Sequence, residues 1–177
     1  MDYLEKGLKQ TQEKYGDNSL ETTKVCKEIC VLTNILATEY LKNEAYDLSL
    51  QILQRAQLLC GVNNEGKAIA YNNTAHYYKK IGKPKVALSF FQSALHIEKE
   101  LANSKNIGDA HLNICAVLSQ LNKHDIALLH GISAVSILQE ILLEEGSLSK
   151  ERASVLAVAY HNIGVEQEFM KRVIYLI

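Results

Sequence analysis

Residues 68–101, AIAYNNTAHYYKKIGKPKVALSFFQSALHIEKEL, decide how this chain is built. The first half sets Tyr71, Thr74, Ala75 and Tyr78 at the spacing of one helix face. Ile81-Gly82 then interrupts the helix, and Pro84 opens a second one that carries Ala87, Phe91 and Ala94. The stretch therefore predicts two helices folded back on each other.

The same skeleton recurs on both sides. Thirty-eight residues earlier stand Thr33, Leu36, Ala37 and Tyr40, followed by Ser49, Leu53 and Ala56. Forty residues later stand His111, Ile114, Cys115 and Leu118, followed by Ala127, Gly131 and Ala134, with Asn122 in place of the turn glycine. A fourth first helix is expected around Tyr160, Ile163 and Gly164 in AYHNIGVEQEF, after which eight residues remain, so the second helix of that unit is expected to be missing.

The order aromatic, small, aromatic, Gly, then Ala-x3-Phe-x2-Ala resembles the tetratricopeptide repeat. That resemblance covers roughly residues 30 to 170 and implies an all-α fold, a right-handed α-α superhelix of about three and a half helical hairpins. Residues 1–17 are expected to form an N-terminal capping helix on an array spanning 18–177. The repeats fall at about 30–61, 68–103, 108–145 and, incomplete, 157–177. Asn18 with Glu21 reads as the start of the first long helix, and Ser149 as the cap of the last.

Composition narrows the functional classes. A net charge of −1 from 19 basic and 20 acidic residues leaves no basic footprint for nucleic acid. No window resembles the roughly 18 uncharged apolar residues of a spanning helix, so no membrane insertion is expected, and the charged, amphipathic N-terminus is unlike a secretory signal. Cys26, Cys30, Cys60 and Cys115 all fall on predicted helices and read as small hydrophobes of a reducing, cytoplasmic protein. Cys26 and Cys30 lack a nearby His or further Cys to complete a tetrahedral site, so neither metal nor cofactor is expected. No glycine loop, zinc helix or nucleophile turn points to an enzyme.

On the first helices one residue type recurs beside the packing positions: Asn73, Asn113 and Asn162, with Asn34 and Asn72 next to this register. In tetratricopeptide proteins of the kinesin light chain type, asparagines at this register face a groove and bind the backbone of an extended peptide. The resemblance thus implies a peptide-binding groove formed by Asn34, Asn72, Asn73, His76, Lys79, Asn113, His161 and Asn162. An amide suits that task because it both donates and accepts. It equally suits pairing with a neighbouring helix or with water. His76 and Lys79 would favour an acidic ligand, although a lysine at a helix C-terminus also complements the helix dipole. The co-chaperone type that clamps a terminal carboxylate needs basic side chains on successive first helices. Asn34, Thr38, Asp109 and Asn113 stand where these should alternate, and Asp109 has the wrong sign.

Two roles follow. One is an adaptor that takes an extended partner segment in the groove and docks into a larger assembly. The other is an architectural subunit held through apolar ends, with Val173, Ile174, Tyr175, Leu176 and Ile177 as a docking tail or a self-association contact. The stretched repeats, near 40 residues, resemble kinesin light chain and related cytoskeletal or ciliary proteins. In either role the small residues set how closely helices approach. Ala75→Leu should overpack its junction and cost about 1–3 kcal/mol, read as a lowered urea midpoint with helicity retained.

Overall fold

The computed structural model describes residues 2–60, 64–102, 104–145 and 149–175. Among them are eight helices and no strand: α1 Asp2–Tyr15, α2 Leu20–Lys42, α3 Tyr46–Leu59, α4 Asn64–Lys80, α5 Pro84–Glu100, α6 Ser104–Gln120, α7 His124–Glu145 and α8 Lys150–Tyr175. Each helix packs on its successor, and α2 also meets α4 as α6 meets α8. This is the contact pattern of stacked hairpins, in which every pair completes the burial of its neighbour.

The three hairpin turns are built alike. Glu44, Gly82 and Asn122 occupy equivalent positions and all take a left-handed backbone, with φ of 60°, 73° and 58°. In each turn the following N–H reaches back to the helix it leaves, from Ala45 to the Tyr40 carbonyl, from Lys83 to Tyr78 and from Lys123 to Leu118, all at 2.9 Å. Such a bond satisfies a carbonyl that the helix end would leave orphaned. Only the central turn uses glycine, where the conformation costs least; Asn tolerates it and Glu44 is held there by the bonds around it.

Packing follows the predicted stripes in the central and following units. Ala75, Ala87, Phe91, Ile114, Cys115 and Ala127 form one buried cluster across α4 to α7. In the first unit Thr33, Ala37, Ser49 and Leu53 are buried, but Leu36 remains 45% exposed. Leu8 of α1 packs instead on Cys26 and Ile29, about two to three turns before Leu36. An ion pair between Glu5 and Arg55 holds the same helix to α3. The α2 start also lies one residue later than expected, since the hydroxyl of Ser19, not Asn18, accepts the Thr22 N–H at 3.1 Å.

Three further features depart from the sequence expectations. Cys30 and Cys60, read as separate thiols, are joined in a disulfide beneath Gly66, whereas Cys26 and Cys115 are free and buried. The α2–α3 pairing brings these two together across 30 residues of sequence, which spacing alone does not reveal. His124–Glu144 in α7 is long and apolar enough to cross a membrane, with mean hydropathy 1.8, contrary to the expectation that no such window exists. In the fold this helix is inserted between α6 and α8, burying Ala127, Ala134, Leu138 and Ile141.

The third departure is the register of α8. Ala159 and Glu166 are buried, Ile163 packs on α7, Tyr160 is 49% exposed, and a side chain at Gly164 would meet nothing within 4 Å. The stripe His111, Ile114, Cys115, Leu118 therefore continues as Ala159, Asn162, Ile163, Glu166, one residue before the expected Tyr160 and Gly164. Gly131 explains the choice, because the space where its side chain would stand is filled by Ile163. Glu166 is anchored by His124, whose Nδ1 lies 2.6 Å from its carboxylate, and the same imidazole stacks on Phe169.

His111 fills the core edge of α6, beside His130 with ring centres 4.9 Å apart. Burial pushes its imidazole down to about 4, and the nearby positive potential of His130 and Lys99 adds to this. Because the unfolded chain takes up the proton near pH 6.5 and the folded chain only near 4, stability is complete above roughly pH 6.5 and falls as the pH drops toward 4. Between pH 7 and 4 the loss traceable to this residue should be on the order of 2–3 kcal/mol. Urea midpoints measured across that range should fall more steeply in the wild type than in His111→Leu; parallel slopes would remove His111 as the cause.

Candidate functional site

The first helices of successive hairpins, α2, α4 and α6, place their asparagines around two adjoining cavities. One, of about 350 Å³, is lined by Asn34, Asn72, Asn73 and His76, floored by Ala37 and Leu53. The other, of about 420 Å³, shares Asn34, Asn72 and Asn73 and adds Asn113, with Val155 of α8 on its far side. Asn113 donates from Nδ2 to Asn72 Oδ1 at 3.3 Å, bridging α6 and α4. These amides are half-buried, resting on the packed small residues yet open to the hollow. Their placement follows from helix geometry: Thr74 and Ala75 point into the core, so Asn72 and Asn73 must turn to the side.

His76 borders the smaller cavity and meets Phe91 edge-on, with ring centres 5.0 Å apart. The ring keeps an exposed edge, yet desolvation by the groups around it, and then the charge of Lys79, lowers its pKa, which favours the neutral ring as both donor and acceptor. Lys79 is half-buried beside it and lines neither cavity. Asn162 lines neither of them, and the α8 register explains why: the position equivalent to Asn73 and Asn113 is His161, which is exposed. Asn162 takes the register position of Thr74 and Ile114 and is half-buried. Val173, Ile174 and Tyr175 belong to the last turn of α8, and Leu176 and Ile177 lie outside the described residues.

The structure adds residues that the sequence pattern did not single out. Glu98, Asn106 and Asp109 line the larger cavity together with the asparagines. Glu98 continues the stripe Ala87, Phe91, Ala94 on α5 and is only 5% exposed. At the equivalent place the neighbouring units bury Cys60 and Leu138. A glutamate on an otherwise apolar stripe was therefore the visible signal. Asn106 donates from Nδ2 to Glu98 Oε1 at 3.0 Å, while Oε2 has no hydrogen-bond partner among the described residues. Burial raises the Glu98 pKa, the Asn106 bond lowers it, and the like charge of Glu65 raises it again. Asp109 is raised by desolvation against the pull of Arg152. Among the described residues no group of three or more His, Cys, Asp or Glu is arranged to hold a metal.

Comparison with known proteins bears on this architecture. No family model matches the sequence, and no curated protein matches it. Among solved structures the chain is similar to BtubC (BKLC) from P. vanneervenii, known from a crystal structure, with a TM-score of 0.65 and 18% identity. The match covers 94% of this chain and 69% of that one. At such identity the likeness establishes the fold, a helical-repeat array.

Proposed function

We propose that this chain is a non-catalytic scaffold of tetratricopeptide type, whose hollow receives an extended segment of a partner protein while the rest of its surface docks into a larger assembly. The observation that carries the proposal is the row of half-buried amides, Asn34, Asn72, Asn73 and Asn113, spread over two adjoining cavities on successive first helices. Amides held side by side on rigid helices can pair with the alternating C=O and N–H groups of a strand-like peptide, whatever its side chains are. The hollow runs through two adjoining cavities that share Asn34, Asn72 and Asn73, which suits a chain better than a compact metabolite. His76, with its neutral ring, extends the row at one end.

A cytoskeletal or ciliary setting belongs to the same proposal and rests on the kinesin light chain style of the repeats. A second, architectural reading has an observation of its own in α7, where Leu129 and Leu143 are 64% and 83% exposed and Ile132 is also uncovered. Scattered exposed leucines are ordinary, but these share one long apolar helix, and such a face suits a subunit contact.

Asn73→Ala combined with Asn113→Ala should abolish capture of the partner segment in a pull-down while circular dichroism stays unchanged. Undiminished capture would overturn the groove proposal. Leu129→Ser combined with Leu143→Ser, or removal of residues 173–177, separates the two readings, because one or the other should release an architectural subunit from its assembly while both leave peptide capture intact.

A further inference from the structure

The junctions between hairpins use matching positions. Between the first and second units these are Cys60 and Gly66, in close contact with Cys30 filling the space beside them. Between the second and third units the equivalent pair is Glu98 and Asn106, joined by a hydrogen bond. An apolar junction has been replaced by a polar one at the wall of the larger cavity, and only half of the introduced carboxylate is satisfied.

A carboxylate oxygen that is buried without a partner is costly, more so when the group is charged. Such a group calls for an explanation, and a donor that enters the cavity supplies one. Three observations define the visitor. Glu98, whose Oε2 has no hydrogen-bond partner among the described residues, is part of the cavity wall. Asp109 adds a second carboxylate to the same cavity. The charge acting on Glu98 is that of Glu65, of like sign, and Lys27 is committed to Glu65 at 2.7 Å. Arg152 balances Asp109 in part. The wall of the hollow at Glu98 and Asp109 is thus acidic, with the amides beside it and no lysine or arginine in its lining, opposite to the character suggested by His76 and Lys79 near its end. Its volume of about 420 Å³ falls within the usual range for ligand clefts, roughly 300–1,000 Å³.

We propose that the cavity walled by Glu98, Asn106 and Asp109 is a subsite for one cationic side chain, lysine or arginine, of the extended segment held by the asparagine row; this rests on the groove proposal above. The ammonium or guanidinium donates to Glu98 Oε2, with Asn106 fixing the carboxylate through Oε1 and Asp109 contributing field from the mouth. A charge-assisted bond of this kind is about twice as strong as a neutral one and fixes the register of the segment, because only one residue of the ligand can occupy the position.

The test uses the full chain and an array of random heptapeptides with blocked ends. Bound peptides should share Lys or Arg at one position. Replacing that residue by norleucine should weaken binding to the wild type about tenfold or more, and Glu98→Gln should remove that difference while binding the norleucine peptide as before. Asp109→Asn should reduce the difference by a few-fold, about two to four. The norleucine comparison is made on wild type, so it holds even where a variant loses helicity. Peptides that bind and depend on Asn73 and Asn113 without any basic preference, or with an acidic one, would overturn the subsite and leave the groove proposal standing. If no peptide is retained, or if Asn73→Ala with Asn113→Ala retains them equally, the groove proposal falls and the subsite falls with it.

Discussion

A hairpin of two helices cannot hide all of its apolar surface within itself, and everything else in this molecule follows from how that surface is covered. The solution is close approach at small side chains, where Ala37, Ala75 and Cys115 let consecutive hairpins nest, and Gly131 admits Ile163 of α8. Dispersion and burial at these contacts depend on distance, so a single extra methylene is felt by the next unit. The left-handed turns at Glu44, Gly82 and Asn122 reverse the chain within each hairpin. Turn and junction act together: the first sets the angle within a unit, and the second sets the spacing between units.

Nesting the packing face inward leaves the neighbouring stripe of each first helix facing outward, and that stripe carries the amides. Polar groups there neither strain the core nor dissolve freely in solvent. They occupy a half-buried shelf in which a hydrogen bond is stronger than in water and an unmade one is more costly. The bond between Asn113 and Asn72 spans two units, so the hollow is braced by its own amides. Glu98 is the exception that shows the rule, because it lies on the packing stripe itself and brings a carboxylate where the neighbouring units bury sulfur or hydrocarbon.

Much of this was legible in the residues. Helix number and approximate bounds follow from periodicity, from Pro84 at a helix start and from residues able to take positive φ at the turns. The asparagine row could be found because Asn73 and Asn113 keep the same register beside Thr74-Ala75 and Ile114-Cys115. Its extension to Asn162 could not hold, because AYHNIG imitates the template one residue out of phase. A shift of one residue rotates a helix face by about 100°, and the contact of Ile163 with Gly131 selects the rotation. Glu98 was readable as a polar intrusion on a stripe, but its link to Asn106 was not.

Sequence alone determined the all-helical hairpin array, the small-residue junctions and the candidate amides, since each depends on spacing within about one helical turn. Tertiary structure decided the phase of α8, the Cys30–Cys60 bond, the exposure of Leu36 and the gathering of Glu98, Asn106 and Asp109 around one cavity. Those depend on which faces of separate helices meet, and that is settled by the shapes of side chains on both partners at once, which no local pattern contains.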